Sequence, residues 1–341
     1  MTRHIRLAAL LVATGSIGLL PAVAQTPPAP PRYQPVNPAA SLPPPPPPPP
    51  PAPVSAGPAA ASSAPARPTP ASVLAGAPAE AWREVPADRL LVIDFAGGGQ
   101  VLIELAPEFA PEHVANIITL AQARWFDGIA IVRSQENYVT QWGDPTEKKP
   151  LPADMPAKLP AEYERSAAGV PLDVLPYRDT YAATVGYSRG MPAASEGGQA
   201  WLAHCYSMVG VGRDKNPDVG TGAELYAVIG HQARALDRNI AVVGRVIAGM
   251  EVLSARPRGT GPLGFYTDPT QKTGIVAVRL AADLTPAERP AWQVLRTDTP
   301  TFTAWLSARA SRQDDFFLRP AGAIDLCTAM PPVRKTPPAG S

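Results

Sequence analysis

The chain of 341 residues carries 45 prolines, 30 Lys and Arg against 29 Asp and Glu, and two cysteines. Residues 25–86 hold 22 of those prolines, with an unbroken run from Pro43 to Pro51; a residue with fixed φ and no N–H builds neither helix nor sheet, so one globular body of the full length is excluded. The near-neutral charge excludes the electrostatic footprint of a nucleic-acid binder, while the Val, Leu, Ile and Ala of the remaining roughly 255 residues suffice for a sizeable core.

In chain order, Met1-Thr-Arg-His-Ile-Arg, an apolar run from Leu7 to Leu20, and Ala22-Val23-Ala24 before Gln25 have the pattern of a secretory signal peptide over residues 1–24. The apolar run is short for a bilayer span and is broken by Gly15, Ser16 and Gly18. No later stretch is apolar enough, so no membrane span is expected after cleavage, and the expected location is beyond the inner membrane, in the periplasm. Residues 25–86 read as a disordered Pro/Ala-rich linker, stiffened by polyproline II at about 3.1 Å per residue.

Order is expected from Asp88. Leu90–Phe95 and Val101–Leu105 read as a hairpin across Ala96-Gly-Gly-Gly. Val114, Ile117, Ile118 and Ala121 sit at i, i+3, i+4 and i+7 behind Pro111, the pattern of an amphipathic helix. Short strands are expected at 129–132, 138–141, 181–185, 201–209, 225–229, 241–246 and 275–280, a short helix at 249–255, and an irregular excursion over 145–180. Residues 282–341 form a C-terminal extension with helical segments at 285–297 and 301–312. Many short strands with one long helix argue for a closed barrel or sandwich. Cys205 and Cys327 either pair, tying the tail to the core in an oxidising compartment, or stand as two separate buried thiols.

Two motifs are weighed and set aside. Gly186-Tyr-Ser188-Arg-Gly190 has the form of a nucleophile elbow, which needs a strand, a sharp turn and a helix; Pro192 and a Gly/Ser-rich stretch follow instead. Gly259-Thr-Gly261-Pro-Leu-Gly264 has the form of a dinucleotide loop but contains Pro262 and opens no helix. His4, His113, His204 and His231 are scattered without ligand spacing, so no metal site is expected.

One segment carries chemistry. Phe126-Asp-Gly-Ile-Ala-Ile-Val-Arg133-Ser-Gln-Glu-Asn-Tyr138-Val-Thr-Gln141-Trp-Gly143-Asp144-Pro resembles, without a gap, the cyclophilin signature Y-D-G-x-x-F-H-R-V-I-P-G-F-x-x-Q-G-G-D-P. Gly99–Asn116, Thr221–Gly230 and Leu236–Val246 resemble flanking motifs of the family in the right order. The likeness spans 88–281 and is weakest between 147 and 200.

The resemblance implies an all-β fold, a closed eight-stranded antiparallel barrel capped by two helices, and peptidyl-prolyl cis–trans isomerase activity without a cofactor. It implies catalytic roles for Arg133 and Gln141, and substrate binding by Tyr138, Met208, Val209, Glu224, Tyr226 and Leu236. The substrates are X–Pro segments of unfolded or folding exported proteins, met by a monomer. The implied chemistry is sound: rotation about the imide bond must cross ~18–20 kcal/mol, and a fixed guanidinium can donate to the lone pair that the twisted nitrogen gains. The chain also departs from the family pattern. Ile131-Val132 replaces an aromatic–histidine pair, Gln135-Glu136-Asn137 replaces Ile-Pro-Gly, and Ala223-Glu224 replaces Ser-Gln, with Ala235 and Ile240 at two further pocket positions. Glu224 is expected to pair with Arg133. Two rival readings follow, a catalytically weak chaperone or scaffold that binds proline segments on the same fold, and a serine hydrolase using Ser188.

Overall fold

The computed structural model describes residues 67–337 apart from residue 157. The expected signal peptide and the Pro43–Pro51 run lie outside the described residues. Eight strands close a barrel: β1 (Leu90–Phe95), β2 (Gln100–Leu105), β3 (Ala130–Ser134), β4 (Val139–Gly143), β5 (Met208–Val211), β6 (Leu225–Val228), β7 (Val242–Ala248) and β8 (Thr273–Leu280). Every neighbouring pair is antiparallel, in the order β5-β6-β4-β3-β8-β1-β2-β7, with β7 returning to β5.

Alternation decides the interior. Leu91, Ile93 and Phe95 of β1 and Val101, Ile103 and Leu105 of β2 fill the barrel with Ile131, Trp142, Val209 and Leu225. The opposite face of β1 and β2 is covered over most of its length. Leu90, Val92 and Leu102 pack there against Trp292, Val294 and Val333, which is why Leu90–Ile93 of β1 reads as an apolar run rather than an alternating one. Helix Pro111–Gln122 turns Val114, Ile117, Leu120 and Ala121 into the barrel core, and the short helix Met250–Ser254 adds Leu253. These are the two capping helices expected.

Two further sheets surround this barrel. A five-stranded antiparallel sheet joins Arg165–Ser166, Gln199–Leu202, Met191–Glu196, Thr184–Ser188 and Asp173–Val174 in that order. It absorbs the second half of the excursion read as irregular. The single strand expected at 201–209 is therefore two, in different sheets, separated at Ala203–Ser207, where Ser207 turns through φ 74°. A three-stranded sheet sets Trp292–Leu295 between Trp82–Glu84 and Val333–Lys335.

That small sheet corrects two expectations. Residues 285–297 are not helical: Trp292–Leu295 is a strand because two partners distant in sequence offer it both edges. Among the described residues the C-terminal extension thus keeps one α-helix, Pro300–Ala310, capped by Thr299. Order also begins before Asp88. Residues 67–86, assigned to the linker by composition, hold helix Pro70–Ala75 with a Thr69–Ser72 capping box, and strand Trp82–Glu84. Cys205 and Cys327 form a disulfide, so of the two alternatives the structure shows the pair. It fastens a tail whose Leu326 and Ala329 are buried with Trp201, Leu202 and Phe302. No helix among the described residues is long and apolar enough to cross a membrane.

Candidate active site

A bulge builds the site. In the β3–β4 pair Ile131 opposes Trp142 and Arg133 opposes Gln141, so Val132 is an extra residue in β3. Ile131 and Trp142 face the barrel interior, fully buried. The bulge turns Arg133 out to the other face, beside Gln141. The pairings Arg133–Gln141, Gln141–Tyr226 and Tyr226–Gly210 then run as one row across β3, β4, β6 and β5 on the outside of the barrel.

The guanidinium of Arg133 is pinned. Its Nε–H donates to the Leu263 carbonyl at 2.6 Å, Nη1 to Gln141 Oε1 at 2.9 Å, and Nη2 to Gln135 Oε1. It lies 5.7 Å from the Tyr138 ring centre and 5.4 Å from that of Phe265. Arginine has five N–H donors, so three commitments leave one proton on each Nη. Burial draws the Arg133 pKa down and the electrostatics of Tyr138, Glu224 and Tyr226 oppose it; arginine remains a cation throughout the working pH range.

Gln141 is 6% exposed and speaks to both sides, accepting from Arg133 and donating through Nε2 to Glu224 Oε1. The direct Arg133–Glu224 pair expected from sequence is replaced by this relay. Burial pushes the Glu224 carboxyl above its usual range, opposed by the hydrogen bond from Gln141 and reinforced by the charge of Asp214. Gly143 is needed beside it: its φ is +144°, and a Cβ there would lie 2.8 Å from the Glu224 Cα.

Tyr138, Tyr226 and Leu236 come together with Val139, Val228, Ala233 and Ile240 in one apolar cluster on the Arg133 side of β4 and β6. Six of the eight residues picked from sequence therefore share one site. Met208 and Val209 do not. Val209 points into the barrel, and Met208 is buried with Met191, Ala203 and Cys205 outside it. Their strand is paired on both sides, with β6 and with β7. The β5 residue on the Arg133 row is Gly210.

Sequence reasoning misses Gln135, Leu263 and Phe265. Leu263 belongs to the glycine-rich segment set aside above, and Phe265 directly follows it. Leu263 turns at φ 56° and Gly264 at φ 81°, which aims the Leu263 carbonyl at Arg133. A Cβ at Gly264 would meet Gln135 Cα at 2.9 Å. The run of glycines is thus a signal of close approach to β3, not of a phosphate. Ser188, by contrast, ends a strand that turns through Arg189 and Gly190, at φ 51° and 81°, straight into another strand. His113 is bonded to Glu162, and His204 to Asp237 and Tyr226. Ser188 therefore has neither the strand–turn–helix setting nor a bond to either of these histidines.

A closed antiparallel barrel with a pinned arginine on its outer face beside an aromatic cluster defines a cyclophilin-like protein. The sequence model described as cyclophilin type peptidyl-prolyl cis-trans isomerase/CLD matches residues 90–280, and the chain belongs to that family. Among solved structures it is similar to cyclophilin AquaCyp293 from Hirschia baltica, with 24% identity and a TM-score of 0.59 over 78% of this chain and 98% of that one; this likeness concerns the fold. Among curated proteins it is similar over 48 residues to peptidyl-prolyl cis-trans isomerase-like 2 of Gibberella zeae, at 46% identity, and to peptidyl-prolyl cis-trans isomerase ppi1 of Schizosaccharomyces pombe, at 44%. Those 48 residues are 14% of this chain and cover 8% and 31% of the two relatives.

Proposed function

We propose that the Arg133 face catalyses cis–trans isomerisation of X–Pro bonds in exported proteins as they fold. The observation that carries this reading is the guanidinium itself, fixed by three acceptors and still holding one free proton on each Nη next to an apolar, aromatic cluster. The pyrrolidine ring packs over Tyr138, Tyr226 and Leu236, and Arg133 donates to the imide nitrogen as it pyramidalises. That hydrogen bond is stronger in the twisted state than in either planar one, which is the requirement for catalysis. Because the guanidinium is already oriented, little reorganisation opposes it at the barrier. A module that only binds proline segments does not need the Arg133–Gln141 pair.

The exported setting is supported by the Cys205–Cys327 disulfide, a bond that persists in oxidising compartments, and by the signal-like first 24 residues. The test is an isomerisation assay on an Ala-Pro peptide with the wild type and Arg133→Ala. A wild-type rate well above that of the variant supports the enzyme. Peptide binding without any acceleration moves the protein to the scaffold reading.

A further inference from the structure

His204 belongs to no motif picked out in the sequence, and its side chain is 1% exposed. Its backbone N–H donates to Asp237 Oδ1 at 2.8 Å, and its ring Nδ1 lies 3.1 Å from the same oxygen. Its Nε2 lies 2.9 Å from the Tyr226 hydroxyl. An ionised carboxylate only accepts, so Nδ1 carries a proton; in the neutral ring Nε2 then presents a lone pair, and the Tyr226 hydroxyl donates to it. The second Asp237 oxygen takes Arg234 Nε at 2.7 Å, and both Nη groups of Arg234 close on Asp179 at 2.9 and 3.0 Å. Arg234 is itself 3% exposed and lies 4.6 Å from the Tyr181 ring centre. A continuous buried chain of side chains therefore runs from Asp179, in the segment between β4 and β5, to the phenol beneath the Arg133 face.

The apolar cluster around Tyr226 has no use for a hydroxyl, and a buried hydroxyl without a partner is costly. The structure makes room for it: a Cβ at Gly210 would lie 2.3 Å from both Cζ and Oη of Tyr226. The phenol thus occupies the space that Gly210 leaves open, with His204 at its tip.

We propose that His204 is a positioning residue of the isomerase site: oriented by Asp237, it accepts the Tyr226 hydroxyl and holds the Tyr226 ring flat against Gly210, at the depth that leaves room for the prolyl ring of the substrate. The inference rests on the isomerase reading of the Arg133 face. Without this anchor the ring tips toward the volume the pyrrolidine must enter. Arg133 keeps its own three anchors, so the loss falls on binding in ground and transition state alike, which raises KM and leaves kcat nearly unchanged.

The test is a double-mutant cycle in the peptide assay, run beside Arg133→Ala. His204→Ala and Tyr226→Phe are each expected to raise KM about tenfold with kcat within about twofold, and the double variant to show no more than either alone. His204→Gln, which keeps an acceptor at the hydroxyl, recovers most of the wild-type KM. A merely structural histidine gives effects that multiply in the double variant, and that result overturns the proposal. So does an unchanged KM in His204→Ala while the wild type remains faster than Arg133→Ala. A wild type no faster than Arg133→Ala instead overturns the isomerase reading and the positioning role with it. If the variants do not fold, the ring nitrogen shifts of His204 in the 15N-labelled wild type decide: the Nδ1–H tautomer is expected, and a proton on Nε2 contradicts the assignment.

Discussion

Ile131 and Arg133 lie two residues apart on β3 yet face opposite sides of the barrel, because Val132 bulges out of the pairing with β4. Strict alternation would have put Arg133 in the core opposite Thr140, a buried charge with no counterion. The bulge converts a core strand into one that offers a cation on its outer face, and the Leu263 carbonyl and the side chains of Gln135 and Gln141 then fix its plane.

That fixed plane predicts unequal costs. Arg133→Lys keeps the charge and loses the fork that makes three bonds at once, so kcat/KM should fall about 10²-fold. Gln141→Leu keeps Arg133 and removes its 2.9 Å anchor, and the expected fall is about tenfold, read in the same peptide assay.

Glu224 predicts a pH effect. Its folded-state pKa is raised above the usual value of 4.5, chiefly by burial. The fold therefore favours the protonated acid, and this contribution to stability is present below pH 4.5 and lost as pH rises through the higher folded value. Glu224→Gln should match the wild type in urea unfolding near pH 4 and exceed it at pH 8. With the negative charge gone from the far side of Gln141, kcat/KM should rise by up to about threefold at pH 8.

The buried ion pairs predict the opposite sign. Burial pushes the Asp179 and Asp237 carboxyls up, but hydrogen bonds outweigh it, from Arg234 to Asp179 and from His204 to Asp237 with the charge of Arg234 added, and hold both below the usual 3.8. Their contribution is present above that value and lost as pH falls through the folded ones. Asp179→Ala leaves Arg234 half-paired in the interior and should cost about 3 kcal/mol at pH 7 in urea unfolding. The gap to the wild type should narrow as the pH is taken below 3.8.

The disulfide closes a loop of 122 residues. In the chain-entropy account such a loop is worth about 4–5 kcal/mol. Replacing Cys205 and Cys327 by Ser should remove most of this in equilibrium unfolding, and should open the tail near Leu326 to limited proteolysis first.

How much of this is legible in the sequence depends on how far apart the cooperating residues lie. Arg133, Tyr138 and Gln141 are legible because one ungapped segment carries all three, and the strands because they alternate or run apolar between turn residues, the choice of a barrel over a sandwich resting on the family resemblance. Trp292–Leu295 is misread as helix because its strand partner Trp82–Glu84 lies more than 200 residues upstream, and a short apolar run does not reveal its partner. Gln135, Leu263 and Phe265 are missed because their role arises only when the 259–266 turn folds onto β3. His204 is missed for the same reason: its partners Asp237 and Tyr226 come from the other side of β5, and a lone histidine gives no spacing to read. Met208 and Val209 are assigned by motif position alone, and position on a strand does not state which face is free.

The central claim is that Arg133 lowers the barrier to rotation about an X–Pro bond. Its most direct test is the cis–trans exchange rate of an Ala-Pro peptide, measured by NMR exchange spectroscopy with catalytic amounts of the wild type and of a folded Arg133→Ala variant. The wild type should accelerate exchange, and the variant should lose about 10²- to 10³-fold of that acceleration; equal rates for the two proteins, whether both fast or both at background, would contradict the account.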